Sequence, residues 1–361
     1  MIVFIKKIID GEKKDFFSFL VKKVLFFFSL FFSSVVFIKN FLYDRKLLKP
    51  KKVSPFVISI GNIVAGGTGK TPFTIYLAKK LMQDSNIAIA SRGYKSKLEN
   101  KISVIKKNDI TTSEMIGDEP SEMRKKLKDI ILLIGKDRKK TIDLAQDLNL
   151  DYVILDDGFQ RRDLYKNIEV VLIDSKDPFG KNNSLPRGYL RESKKSLKRA
   201  DYIVLNTTYN RDNLQSIENE INKYTDAEII KIFYKPIGFF NHLDEKIEIK
   251  PKSKTVCFSG IANPDSFQKM ISDLDIDILD FLKLPDHEKI SYESLKSLFL
   301  KARELKADFI ITTQKDMVKL NLKNLEIPIC YLDFSIEELG SDAKLSLFIE
   351  NIKRMNDNHY S

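Results

Sequence analysis

At 361 residues the chain exceeds the size of one hydrophobic core and is expected to divide into two domains with room for a cleft. Its two cysteines, Cys257 and Cys330, exclude a disulfide framework and read as buried free thiols in a reducing cytoplasm. The net charge of +11 does not mark a nucleic-acid protein: residues 1–52 carry twelve basic and four acidic residues, a net +8, and the +3 left for the other 309 residues is too even for a nucleic-acid groove.

The first element in chain order is the uncharged run Val24–Ile38, dense in Phe26, Phe27, Phe28, Phe31 and Phe32 and bounded by Lys22, Lys23 and Lys39. It falls short of the roughly 20 residues that cross a bilayer as a helix, which predicts a helix embedded in one leaflet with its lysines reaching the headgroups. The competing readings are a buried core helix and a signal peptide, and against the latter the run begins after residue 20 and no A-x-A site follows. The membrane surface is therefore the expected partner of this segment.

Beyond the basic linker Lys49–Lys52, short β-like runs alternate with helical stretches, the pattern of a parallel α/β sheet. Strands are predicted at Phe56–Ile60, Ile87–Ala90, Ile130–Ile134, Tyr152–Leu155, Val170–Ile173 and Tyr202–Leu205. Extended segments broken by Pro236, Gly238 and Pro251 read as a hinge. Further strands are predicted at Thr255–Ser259, Ile278–Leu282, Phe309–Thr312 and Ile329–Leu332, with an amphipathic helix over Ser291–Leu305. The expected organisation is an anchor region over residues 1–48, a phosphate-binding domain over 49–232, a hinge over 233–253 and a smaller C-terminal α/β domain over 254–361. The fold class is α/β, a mostly parallel sheet of the P-loop NTPase kind flanked by helices.

The strand Phe56–Ile60 leads into Gly61-Asn62-Ile63-Val64-Ala65-Gly66-Gly67-Thr68-Gly69-Lys70-Thr71 and then into a helical stretch over Pro72–Leu81. Glycines let consecutive backbone N–H groups converge on phosphate oxygens, the helix N-terminus adds positive partial charge, Lys70 reaches the outer phosphates and Thr71 ligates Mg²⁺. The first glycine of the strict motif is replaced by Val64, so Gly66-Gly67 must supply the tight turn. The predicted strand Tyr152–Leu155 ends in Asp156-Asp157, where one carboxylate can hold the Mg²⁺ shell while the other positions water, substrate or a cation. A plain Asp-Asp-Gly turn is the competing reading.

Transfer of a phosphoryl group to an alcohol also needs a group that takes or orients the hydroxyl proton. On pattern alone Asp118, in Gly117-Asp118-Glu119-Pro120, is as much a helix cap as a base. Of the three histidines, His359 lies in the polar tail and His242 in the hinge, whereas His287 follows a predicted strand within Pro285-Asp286-His287.

These pieces, with Ser91-Arg92-Gly93-Tyr94, Asp156-Asp157-Gly158-Phe159-Gln160, Leu185-Pro186-Arg187-Gly188-Tyr189-Leu190-Arg191-Glu192 and Lys315-Asp316, occur in an order that resembles the tetraacyldisaccharide 4'-kinase family, from the anchor to about Leu320. The resemblance implies transfer of the ATP γ-phosphoryl group, with Mg²⁺, to the 4'-hydroxyl of a disaccharide 1-phosphate lipid on the cytoplasmic face of the bacterial inner membrane. It implies Asp118 as catalytic base with His287 as its partner, Asp156, Asp157 and Glu192 as acids around Mg²⁺, and Arg191 as a stabiliser of phosphate charge. Asn62, Arg92, Tyr94 and Gln160 are implied substrate contacts, joined by Arg161, which stands where the family usually has His. Gln314 likewise stands where the family usually has Glu. A monomer is expected. The alternative is a membrane-associated P-loop ATPase that partitions cargo, but its loop carries an extra Lys near the start, where this chain has Ala65.

Overall fold

The computed structural model describes every residue except Met1, Lys14, Tyr209, Asn210, Ala262, Asp286, His287, Lys289, 321–326 and Ser361. In chain order the elements are α1 (Ile2–Ile9), α2 (Phe16–Asp44), β1 (Phe56–Gly61), α3 (Lys70–Leu81), β2 (Ile87–Ser91), β3 (Ser103–Ile105), α4 (Ser113–Ile116), α5 (Asp118–Lys126) and β4 (Ile131–Ile134). They continue with α6 (Arg138–Asp143), β5 (Tyr152–Asp156), β6 (Ile168–Asp174), β7 (Tyr202–Asn206), α7 (Leu214–Asn222), β8 (Glu228–Phe240), β9 (Lys246–Ile247), β10 (Lys254–Ser259) and α8 (Pro264–Ser272). The last are β11 (Asp277–Lys283), α9 (Tyr292–Glu304), β12 (Phe309–Thr313), α10 (Gln314–Met317), β13 (Ile329–Glu338) and α11 (Lys344–Tyr360).

Two compact units emerge. The first comprises Met1–Ser91, Asp137–Ile232 and Glu338–Ser361. Its strands run parallel in the order β8-β7-β6-β1-β5-β2. β1, β2, β5 and β7 are buried along their whole length. That is why they read as continuous apolar runs rather than alternating ones: a parallel sheet covered on both faces has no solvent side. Helix α11 packs here, with Phe348 4.8 Å from the Tyr202 ring and 6.2 Å from the Phe73 ring of α3.

The second unit comprises Arg92–Lys136 and Phe233–Glu337. It holds the parallel ladder β11-β10-β12-β13 and the antiparallel pair β3–β4. Cys257 and Cys330 are free thiols in one of its cores, packed with Phe267, Ile271 and Ile311. Burial pushes the Cys257 thiol up to about 12, so it is inert as a nucleophile.

Three features differ from the linear expectation. Residues 92–136 belong to the second unit and α11 to the first, because each segment joins the apolar faces nearest to it in space and not in sequence. The first part of the expected hinge is strand: β8 passes through Pro236 and Gly238, carried by the β-formers Ile229, Ile230, Ile232, Phe233 and Tyr234. Helix α2 has 29 residues, well beyond the uncharged run, and the side chain of its N-cap Asp15 accepts the Ser18 N–H at 2.8 Å. Its burial is inverted, with Ser18 and Ser29 buried while Phe16, Phe27, Phe31 and Phe37 are exposed by 82%, 70%, 71% and 69%. By length and composition it is able to cross a membrane.

Candidate active site

In the first unit the phosphate-binding loop follows β1 and enters α3 through Gly69, which has φ +91°. Helix α3 starts at Lys70 without a side-chain cap, so its first-turn N–H groups are not taken by a capping oxygen. Gly66 and Gly67 are exposed at the lip, whereas Thr68 and Thr71 are buried. Asn62, fully buried, donates from Nδ2 to Thr68 Oγ1 at 2.9 Å and thereby braces the loop from its base.

The carboxylate turn sits against the same strand end. A Cβ on Gly61 would lie 2.5 Å from Phe159 Cβ, so only glycine lets the Asp156-Asp157-Gly158-Phe159 turn come this close to the start of the loop. Asp157 is held at φ +53°, a left-handed conformation for a side-chain-bearing residue, and such strain gathers at functional sites. Its carboxylate receives Arg191 in a two-pronged pair, Nη1 to Oδ1 at 2.6 Å and Nη2 to Oδ2 at 3.0 Å, and lies 3.7 Å from Lys70 Nζ. Burial pushes the Asp157 carboxyl up, but Lys70 and Arg191 outweigh it and hold it down at about 2. Asp157 is thus ionised at neutral pH and spaces two cations at the loop.

Asp156 is 2% exposed and accepts Ser91 Oγ at 3.3 Å, while its backbone oxygen accepts Arg138 Nη2 at 3.0 Å. Arg138, itself buried at the start of α6, also lowers the Asp157 carboxyl. The sequence reading did not single it out. The only hint is its place in Gly135-Lys136-Asp137-Arg138, directly after a predicted strand.

Arg191 Nη1 further reaches Asn62 Oδ1 at 3.1 Å, and Gln160 Nε2 donates to the Asn62 carbonyl at 2.9 Å. Asn62, Gln160, Arg191, Asp157 and Lys70 therefore form one connected group. Glu192 lies beside it with other partners: Arg199 reaches Oε2 at 2.9 Å and Oε1 at 3.1 Å, and Asn40 of α2 donates to Oε2 at 2.7 Å. Burial raises the Glu192 carboxyl, and the Arg199 pair outweighs it, lowering it overall. Arg161 is paired with Asp163 at 2.7 Å.

In the second unit, Gly93 and Gly117 approach backbone to backbone. A Cβ on Gly117 would be 3.1 Å from the Gly93 carbonyl carbon, and one on Gly93 would be 2.8 Å from the Ile116 oxygen. This contact packs the Arg92-Gly93-Tyr94 backbone against Gly117, the residue that precedes Asp118 at the start of α5. Arg92 bonds Glu99 at 2.7 Å and lies 5.4 Å from the Tyr94 ring, which is exposed. Lys319 Nζ is 3.4 Å from Asp118 Oδ2. His287 lies outside the described residues.

Among the described residues no group of three or more His, Cys, Asp or Glu is arranged to hold a metal. A Mg²⁺ that rides on a nucleotide needs no such cage, because one carboxylate, one hydroxyl, the phosphates and water complete its shell. The buried pair Thr71 and Asp156, at the two ends of the loop and turn, fits that demand.

A family model described as Tetraacyldisaccharide-1-P 4'-kinase matches residues 21–353. The tetraacyldisaccharide 4'-kinase of Syntrophus aciditrophicus is 33% identical over 95% of this chain and 96% of its own length. That of Halothermothrix orenii is 32% identical over 84% of this chain and 85% of its own. The crystal structure of LpxK from Aquifex aeolicus in complex with ATP superposes with a TM-score of 0.72 at 30% identity, covering 92% of this chain and 99% of that one. With its loop, its paired carboxylates and the family model matched over nearly the whole length, this chain belongs to the tetraacyldisaccharide-1-P 4'-kinase family.

Proposed function

We propose that the chain transfers the γ-phosphoryl group of ATP to the 4'-hydroxyl of a tetraacyldisaccharide 1-phosphate, with the residues acting as follows. The observation that carries this reading is the group Lys70, Asp157, Arg191 and Asn62 built onto the phosphate-binding loop. Lys70 and Arg191 offset the negative charge that develops on the phosphoryl oxygens, and Asp157 fixes where those two cations sit. Thr71 and Asp156 are the residues that would hold Mg²⁺, which supplies further neutralisation of the phosphates when bound. Asp118 accepts the proton of the sugar hydroxyl, and Arg92, Tyr94 and Gln160 contact the headgroup. Glu192, whose oxygens Arg199 and Asn40 engage, supports this group from behind.

The lipid substrate is met at the cytoplasmic face of the inner membrane, and α2 attaches the enzyme there. Its polar side is tied to the first unit along its length: Ser29 accepts the Arg187 N–H at 2.9 Å, Lys39 donates to the Gln160 carbonyl at 3.0 Å, and Asp44 pairs with Arg162 at 2.7 Å. A helix bonded to its own enzyme from Ser29 to Asp44 lies in the interface rather than crossing it, and presents its phenylalanines to acyl chains.

Asp118→Asn tests the assignment of the base. Turnover is expected to fall by roughly 10²–10⁴ while Mg-ATP affinity stays within twofold, as read by calorimetry. A fully active Asp118→Asn enzyme would remove Asp118 from the chemistry.

A further inference from the structure

We infer that Lys319 is a positioning residue for Asp118: its buried ammonium holds the carboxylate ionised and aimed for proton acceptance. The inference rests on the assignment of Asp118 as the base and concerns the second unit alone. The Lys319 side chain is 2% exposed, and a lysine so far out of water is tolerated only where carboxylates meet its charge. Two do, Asp118 Oδ2 at 3.4 Å and Asp316 Oδ1 at 3.2 Å.

The two carboxylates are not equivalent. Asp316 is a fixed point: its Oδ2 accepts the Gly260 N–H at 2.9 Å and the Thr313 hydroxyl at 2.7 Å, while its own N–H donates to Thr313 Oγ1 at 3.2 Å. That reciprocal bond with the N-cap Thr313 locks the start of α10. Asp316 therefore anchors Nζ, and Nζ in turn fixes Asp118, which stands at the first position of α5. The elements that carry this pair also bear Glu119 and Glu122 on α5 and Lys315 and Asp316 on α10. An ammonium in direct contact with Asp118 favours its ionised form over the protonated one.

The test uses the full chain in detergent with ATP, Mg²⁺ and tetraacyldisaccharide 1-phosphate. Lys319→Gln is expected to lower kcat by about 10- to 100-fold, a fraction of what the base itself supplies, with KM for ATP within twofold. Lys319→Arg should recover part of the loss. In an Asp118→Asn background, Lys319→Gln should cause no further loss, because a residue that acts through Asp118 has nothing left to position. Should Lys319→Gln not fold, Asp316→Asn loosens the anchor without stranding a charge and is expected to lower kcat about tenfold, again by the coupling logic of contacting residues. Wild-type kcat in Lys319→Gln, or in Asp316→Asn where that variant is used, beside an inactive Asp118→Asn enzyme would overturn the inference and leave the base standing. An equal further loss in the Asp118→Asn background would also overturn it. An active Asp118→Asn enzyme would instead remove the base assignment itself.

Discussion

Glu122 lies one helical turn after Asp118 and is 9% exposed, a carboxyl buried on the α5 face that also carries Asp118, the proposed base. Burial pushes it up to about 7, against the opposing pull of Lys315 and Lys126. The sign follows from proton counts. Between the ordinary carboxyl range and pH 7 the unfolded chain has lost this proton and the folded chain keeps it, so stability falls as pH rises through that window. Its contribution is fully present below the unfolded pKa and gone above the folded one. A displacement of this size corresponds to about 3 kcal/mol. Glu122→Gln, neutral at every pH, should therefore gain on the parent enzyme as pH rises. With roughly 2–4 °C per kcal/mol for a unit of this size, its melting temperature should pull ahead by roughly 5–10 °C between pH 5 and pH 8. Paired thermal melts of the two proteins across that range measure the difference. A constant offset between the two curves would show that Glu122 titrates normally and refute the reasoning.

Lys70→Met removes the cation nearest the phosphates and should reduce phosphoryl transfer by roughly 10²–10³, measured as kcat with folding checked by circular dichroism. Phe27→Asp with Phe31→Asp exposes charge where α2 presents its apolar face. At about 1.5–3 kcal/mol per buried phenylalanine, binding to anionic vesicles in a sedimentation assay should weaken at least tenfold. Gly117→Ala places a Cβ 3.1 Å from the Gly93 backbone at φ +98°, and should lower stability by about 1–3 kcal/mol in denaturant unfolding. Asn40→Ala removes one of the side-chain donors to Glu192 and should cost about 1–3 kcal/mol in the same measurement.

Much of the fold is legible in the residues because buried parallel strands are continuous apolar runs: the predicted strands from Phe56 to Tyr202 and from Thr255 to Ile329 correspond to strands in the structure. The strand–loop–helix around Gly66–Thr71 and the Asp156-Asp157 strand end are legible for a related reason, since their chemistry depends on local backbone geometry. Long-range features are not. Arg138 and Asn40 matter only through the partners they meet in space, Asp156 and Glu192, and neither spacing nor residue type announces those pairs. The same holds for Lys319, which reads as one of many lysines until Asp118 and Asp316 are seen on either side of it. The extent of α2 escaped because Lys22, Lys23 and Lys39 interrupt the apolar run without interrupting the helix.

The central claim is that the loop and its neighbouring carboxylates pass phosphate from ATP to a lipid sugar. Purified enzyme given ATP labelled in the γ-phosphate, Mg²⁺ and tetraacyldisaccharide 1-phosphate in detergent should place the label on the lipid, and Lys70→Met should slow that transfer by roughly 10²–10³. Hydrolysis of ATP that proceeds at the same rate with and without the lipid, leaving the lipid unlabelled, would contradict it.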